Sequence, residues 1–289
     1  VTSVPALASG DVRPWEYSAF PVTVAAVRRV TPNFQRVTLA GPTLRHFAPW
    51  GLDQRIKLVL PLPEVGIVDV GLRKVPTPHP REWYTRWKSL PASQRNPLRT
   101  YTPAAIRPDE AEIDVDVFLH EPAGPASHWA MTCAPGDELM VTGPDARAGY
   151  TGYGIHFTPP TPPTRLLLVG DASAIPAMRN IVQTHRNATR IEVLAELADA
   201  DDLGEGGLAT LTTAVAPDVS PGSALERLVR GWADAASALL RDDATSYVWI
   251  AGETGAVARI RRHLTSVGVI TPKRVSFLGY WKHGGPLVD

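Results

Sequence analysis

Residues 158–171 read Thr158-Pro159-Pro160-Thr161-Pro162-Pro163-Thr164 and then Arg165-Leu166-Leu167-Leu168-Val169-Gly170-Asp171. The first half can neither pair in a sheet nor continue a helix, because proline lacks an N–H and its ring holds the backbone extended. The second half is an unbroken apolar run, the pattern of a strand buried on both faces. Together they read as a linker that opens onto a new domain; the other reading is a long surface loop within one domain. The pattern on either side favours the linker. Residues 1–157 are then one domain, 158–164 the linker and 165–289 a second domain.

Beyond the linker, strand alternates with helix. A helix is expected over residues 175–184, a strand over 190–197 and a helix over 224–240. A strand over 247–252, a helix over 256–266 and a last strand over 274–280 follow. That order implies a parallel sheet with helices on both faces, a Rossmann-like α/β domain. Before the linker the elements are short strands, at residues 21–27, 35–40, 55–60, 112–120 and 137–144, with Thr31-Pro32-Asn33 joining the first pair. Strict alternation, as in Glu112-Ile113-Asp114-Val115-Asp116-Val117, with Gly/Pro punctuation, indicates an antiparallel barrel or sandwich. The fold class is thus β + α/β. Residues 65–96 are too long for a plain connection, so they are helical or functional; Trp83, Tyr84 and Trp87 there read as core or as a ligand platform.

Composition removes several function classes. The 289 residues carry 29 basic and 29 acidic side chains, so no broad attraction to nucleic acid or anionic lipid is expected. With one cysteine, Cys133, the chain has neither an internal disulfide nor a thiolate metal cluster. The histidines show no metal-ligand spacing, and no metal site is expected. No apolar run reaches the ~18 residues of a membrane span, and residues 1–15 lack a leader pattern. A cytoplasmic monomer, with no membrane partner, is the expectation.

Three motifs carry chemistry. Arg99-Thr100-Tyr101-Thr102 offers a guanidinium fork suited to phosphate oxygens, an aromatic face and hydroxyls. Asp116-Val117-Phe118-Leu119-His120 leads through Glu121-Pro122-Ala123 into Gly124-Pro125-Ala126-Ser127-His128-Trp129-Ala130, where small residues and a helix starting at Ala126 can present N–H groups to phosphate. Ser127 is either a further hydroxyl donor or that helix's cap. Leu278-Gly279-Tyr280-Trp281-Lys282-His283-Gly284 ends the chain with an aromatic pair. In this order the motifs resemble those of the siderophore-interacting proteins, flavin-dependent ferric-siderophore reductases within the ferredoxin-reductase-like flavoproteins. The sequence departs from the family pattern at Glu121-Pro122-Ala123, where glycines are usual, and at Lys282, where arginine is usual.

The resemblance implies an FAD-binding barrel and an NAD(P)H-binding domain. It implies FAD contacts from Arg99, Thr100, Tyr101, Thr102, Asp116, Val117, Leu119, His120, Gly124, Pro125, Ala126, Ser127 and Trp281, with Thr102, Tyr280 and Trp281 at the reacting ring. Gly170-Asp171-Ala172-Ser173-Ala174-Ile175-Pro176-Ala177 resembles the family's coenzyme segment and stands where strand gives way to helix. Asp171, Ser173, Ala174, Ile175 and Pro176, with Gly252 and Glu253 at a second strand end, are the expected NAD(P)H residues, Ser173 also capping the helix. Asp199, Asp201 and Asp202 argue against a 2′-phosphate nearby and so for NADH. Lys57 and Lys282 are the expected contacts to an anionic ferric siderophore, the small-molecule substrate. The implied activity is NAD(P)H-driven reduction of Fe(III)-siderophore to Fe(II). Two alternatives stand beside it: a ferredoxin- or flavodoxin-type reductase, and a non-catalytic flavin-binding redox sensor.

Overall fold

The computed structural model describes residues 15–187, 190–204, 207–209, 211–241, 245–266 and 268–284. Residues 1–14, read above for a leader, and 285–289 lie outside the described residues. The chain divides into two units, Val1–Val30 with Phe34–Ile155, and Thr31–Asn33 with His156–Asp289.

The first unit holds seven strands: β1 (Tyr17–Thr31), β2 (Phe34–Ala40), β3 (Ile56–Val59), β4 (Leu98–Tyr101), β5 (Pro103–Arg107), β6 (Glu112–Phe118) and β7 (Glu138–Pro144). Their order in the sheet is β4-β3-β7-β1-β2-β6-β5. β1 with β7, β7 with β3, β3 with β4, β2 with β6 and β6 with β5 all pair antiparallel. β4 and β5 occupy opposite edges of that order, yet only Thr102 separates them in the chain. A sheet whose edges meet across one residue must curl on itself, which gives the expected barrel architecture. The alternation in β6 sorts its residues. Ile113, Val115 and Val117 enter the core with Phe20, Val37, Leu39, Leu58 and Val141. Asp114 and Asp116 face the other way, toward arginines.

On that outer face Arg36 holds Asp116 with two bonds, Nε to Oδ1 at 2.6 Å and Nη2 to Oδ2 at 2.8 Å. Arg107 holds Asp114 at 2.8 and 3.0 Å, and Thr38 Oγ1 donates to it at 2.7 Å. Burial opposes ionisation of Asp114, but the bonds from Arg107 and Thr38 and the nearby charges outweigh it and hold the carboxyl below the usual carboxylate range. A lowered folded-state pKa stabilises above the unfolded value, about 3.9, and this contribution is lost as pH falls through the folded value. Asp114→Asn should therefore flatten the acid limb of the stability curve below about pH 4, measured by urea unfolding at stepped pH. An unchanged slope would show that this ionic cluster contributes nothing.

Two helices complete this unit, α1 (Pro80–Ser89) and α2 (Pro125–Thr132). Trp83 and Trp87, one helical turn apart on α1, are buried against Tyr17, Val59, Leu98 and Met140, while Tyr84 stacks on Trp87. The core reading of the tryptophans therefore holds over the platform reading.

The second unit is built on β8 (Arg165–Asp171), β9 (Arg190–Glu196), β10 (Leu211–Val215), β11 (Ser246–Glu253) and β12 (Val275–Trp281), in the order β10-β9-β8-β11-β12 and parallel throughout. Helices α3 (Ile175–His185), α4 (Ser223–Arg241) and α5 (Thr254–Ser266) cover it. Every residue of β11 is buried, as a strand covered on both faces requires. Glu196, at the end of β9, accepts the Gly222 and Leu225 N–H groups at 2.9 Å each and so fixes the start of α4. Among the described residues no helix is long and apolar enough to cross a membrane.

Candidate flavin and nicotinamide sites

The seam of the barrel concentrates the first motif. Thr100 on β4 is exposed, whereas Arg99 and Tyr101 are half-buried, Tyr101 packing against the barrel core. The Arg99 guanidinium donates to the Leu98 carbonyl at 2.9 Å and meets no carboxylate among the described residues. Burial lowers its pKa, so it is a cation held partly out of water without a countercharge. Burial also pushes the Tyr101 hydroxyl above its usual pKa and keeps it a neutral donor. Thr102, at the seam, is buried, and its hydroxyl has no partner among the described residues.

The second motif begins where β6 ends. Helix α2 starts at Pro125, one residue earlier than expected, with Gly124 as its N-cap and no side chain capping it. The first helical bond runs from His128 N–H to the Gly124 carbonyl, so the Ala126 and Ser127 N–H groups remain open, as the start of a helix dictates. Ser127 is therefore not the cap; its hydroxyl donates to the Phe118 carbonyl at 3.1 Å and ties the helix start to β6. His120 is exposed, and its ring lies over Gly124, where an added Cβ would stand 3.5 Å from it. The side chains of Asp116, Val117 and Leu119 are engaged elsewhere. Val117 is fully buried in the core, Leu119 packs against it, and the Asp116 carboxylate is taken up by Arg36. Only the backbone of these three is left to meet a ligand. A guanidinium without a countercharge, open N–H groups at a glycine-capped helix start and a free hydroxyl at the seam fit the diphosphate and polar edge of a flavin dinucleotide.

In the second unit the three adjacent strand ends of β8, β11 and β12 form one hub. Asp171 Oδ1 accepts the Ser173 N–H at 2.9 Å and the Ser173 hydroxyl at 2.5 Å. Oδ2 accepts the Glu253 N–H at 2.9 Å and the Trp281 Nε1–H at 2.8 Å. Asp171, not Ser173, therefore caps the turn that leads into α3, and its carboxylate is engaged by four donors. Burial still raises its pKa. Ala174, Ile175 and Pro176 are buried. Glu253 Oε2 accepts the Ala256 N–H at 2.8 Å, so this carboxylate caps α5. Backbone donors overcome its burial and lower its pKa. The aromatic pair is split, because successive strand residues face opposite ways. Tyr280 meets the buried Trp249 edge-on, with ring centroids 6.2 Å apart, while Trp281 turns to Asp171.

The two lysines belong to different units. Lys57 is half-buried on β3, opposite Thr100, to whose hydroxyl it donates at 3.1 Å. Burial, then the charge of Arg55, lowers its pKa, and it has no carboxylate partner among the described residues. Lys282 is exposed. Arg55 was passed over in the sequence, although the alternation of Arg55-Ile56-Lys57 puts it on the same face as Lys57; its Nε is buried without a partner. Among the described residues no group of three or more His, Cys, Asp or Glu side chains is placed to hold a metal.

Comparison with known proteins draws on both units. A siderophore-interacting FAD-binding domain matches residues 23–148, and a siderophore-interacting protein domain matches residues 163–284. The NADPH-dependent ferric-chelate reductase of Escherichia coli (strain K12) is 31% identical over 266 residues, covering 90% of this chain and 91% of that protein. The chain belongs to the siderophore-interacting protein family. Within the family, the crystal structure of SipS from Aeromonas hydrophila matches with a TM-score of 0.68 and 27% identity, covering 93% of each chain. The ferredoxin reductase of carbazole 1,9a-dioxygenase shares the fold, with a TM-score of 0.60 at 16% identity. The mycobactin import ATP-binding/permease protein IrtA of Mycolicibacterium smegmatis is 28% identical over 263 residues, and the chain spans 26% of its length.

Proposed function

We propose that this siderophore-interacting protein is an FAD-dependent reductase of ferric siderophores that draws its electrons from NAD(P)H. The observation that carries the reading is the Arg99 guanidinium, half-buried and without a carboxylate among the described residues, three residues along the chain from the open hydroxyl of Thr102. A family of FAD-binding siderophore-interacting domains, and a relative named for ferric-chelate reduction, support it.

Bound FAD supplies the exchange between a two-electron donor and a one-electron acceptor. The residues of the chain bind and orient. Arg99 and the Ala126 and Ser127 N–H groups would hold the diphosphate, Tyr101 would offer its aromatic face to the ring system and Thr102 would donate to its polar edge. The hub at the ends of β8, β11 and β12 receives the coenzyme. Lys57, with Arg55 beside it on the same face, would attract an anionic ferric chelate. Oxygen donors that grip Fe(III) hold Fe(II) less well, so reduction releases the metal without any protein ligand.

The sequence argument for NADH does not carry over. Asp202 is fully buried and Asp199 is turned to the Asp201 N–H at 2.9 Å, which leaves Asp201 alone of the three exposed, and the ferric-chelate reductase relative is named as NADPH-dependent. The test is an anaerobic titration of the flavin-loaded protein with NADH and with NADPH, followed by a panel of ferric siderophores and a ferrous-trapping dye. Bleaching of the flavin, then recovery of colour with a dye signal, is expected; bleaching without a dye signal would overturn the proposed substrate. Thr102→Val should slow the bleaching about tenfold while FAD stays bound, the loss of about one hydrogen bond at the reacting edge. An unchanged rate would remove Thr102 from that edge.

A further inference from the structure

Three strands contribute to the Asp171 hub, and the route its carboxylate takes is specific. Asp171 ends β8 and reaches past the end of β11 to the indole of Trp281 on β12. It passes over Gly252, where the β11–β12 register shifts and the backbone sits at φ 146°. A Cβ on Gly252 would stand 2.5 Å from Oδ2. The Trp281 carbonyl is held as well, by the Thr254 hydroxyl at 2.8 Å. A hydrogen bond from the indole to a carboxylate therefore coexists with a closely fitted backbone that keeps it in place.

That bond has an electronic consequence. A carboxylate accepting the indole N–H shifts electron density into the ring and makes its face more attractive to a cation. Reduced nicotinamide carries no ring charge. When it gives two electrons and its C4 hydrogen to FAD, its ring is left with one positive charge. We propose that Asp171 is a positioning residue that acts through the Trp281 indole, holding the ring and enriching it so that it favours the oxidised, cationic nicotinamide over the reduced one. This rests on the reading that the hub receives NAD(P)H. Such a contact strengthens as positive charge develops and so lowers the barrier rather than only tightening the complex. Asp171 itself touches no coenzyme in this scheme, because four donors already engage its oxygens.

The test measures binding to FAD-loaded protein by calorimetry, of NADP⁺ and NAD⁺ as the oxidised forms and of their uncharged tetrahydro analogues, which donate no hydride, as the reduced forms, in wild type, Asp171→Asn, Trp281→Phe and the double variant. Asp171→Asn is expected to weaken the oxidised forms about tenfold and the reduced forms much less, the size of a cation–π contact. In the Trp281→Phe background the same change should have no further effect. Equal weakening of both oxidation states, or a full effect of Asp171→Asn without the indole, would overturn the inference. If Asp171→Asn does not fold, Trp281→Phe alone decides: it must weaken the oxidised forms selectively. A second measurement needs no coenzyme. The Trp281 indole N–H of the wild-type protein should exchange with solvent far more slowly than a free indole, and fast exchange would sink the bond itself. Wild-type protein that binds no nicotinamide yet shows slow indole exchange would refute the functional reading while leaving the hub's geometry standing.

Discussion

Arg99→Ala should leave a folded protein that has lost its grip on FAD, with affinity reduced about tenfold to a hundredfold. The magnitude follows from one charge-assisted hydrogen bond to an ionised group, about 1.5–3 kcal/mol. The native guanidinium is half-buried without a carboxylate, so the free protein bears the cost of a poorly solvated cation that a phosphate would relieve. Removing it therefore costs the barrel little and the complex much. Arg99→Lys should recover part of the affinity, since the charge returns without the planar fork. Dialysis followed by flavin absorbance reads the outcome. Full retention of yellow colour by Arg99→Ala would refute the phosphate role.

Gly252→Ala should be a strongly damaging single methyl in the second unit. The position combines a backbone at φ 146° with a Cβ site 2.5 Å from the Asp171 carboxylate. Left-handed strain and overpacking each cost about 1–3 kcal/mol, so a loss of about 2–6 kcal/mol is expected. Either the carboxylate withdraws and releases Trp281, or the end of β11 shifts and Glu253 loses its place at the start of α5. Denaturant unfolding measures the loss. An unfolding free energy within about 0.5 kcal/mol of wild type would show that the hub is far more tolerant than its geometry indicates.

Much of this was legible in the residues, and what escaped did so for physical reasons. Arg165–Asp171 was read to the residue because a strand buried on both faces and bounded by proline leaves no ambiguity. Pro103–Arg107 and Leu211–Val215 were missed. The first follows β4 after one residue and opens with proline; the second is an edge strand, half exposed and without alternation. Motif spacing singled out Arg99, Thr102, Gly124 and Asp171 as candidates, but spacing is blind to what a side chain touches. It could not show that Asp116 answers Arg36, that Asp171 spans two strand ends, or that Ser127 binds a carbonyl. The separation of Tyr280 from Trp281 was available from the two-residue period of a strand and was overlooked.

The position of Thr102 has one more implication. Because the two edge strands of the sheet, β4 and β5, meet at that residue, bringing those edges together would also assemble the proposed grip on the dinucleotide. A nascent chain that has not yet joined its final seam has no socket to offer, and a prosthetic group that prefers the finished cylinder pulls the closing step forward by mass action. The yellow group would then serve as a latch on the fold as well as a carrier of electrons.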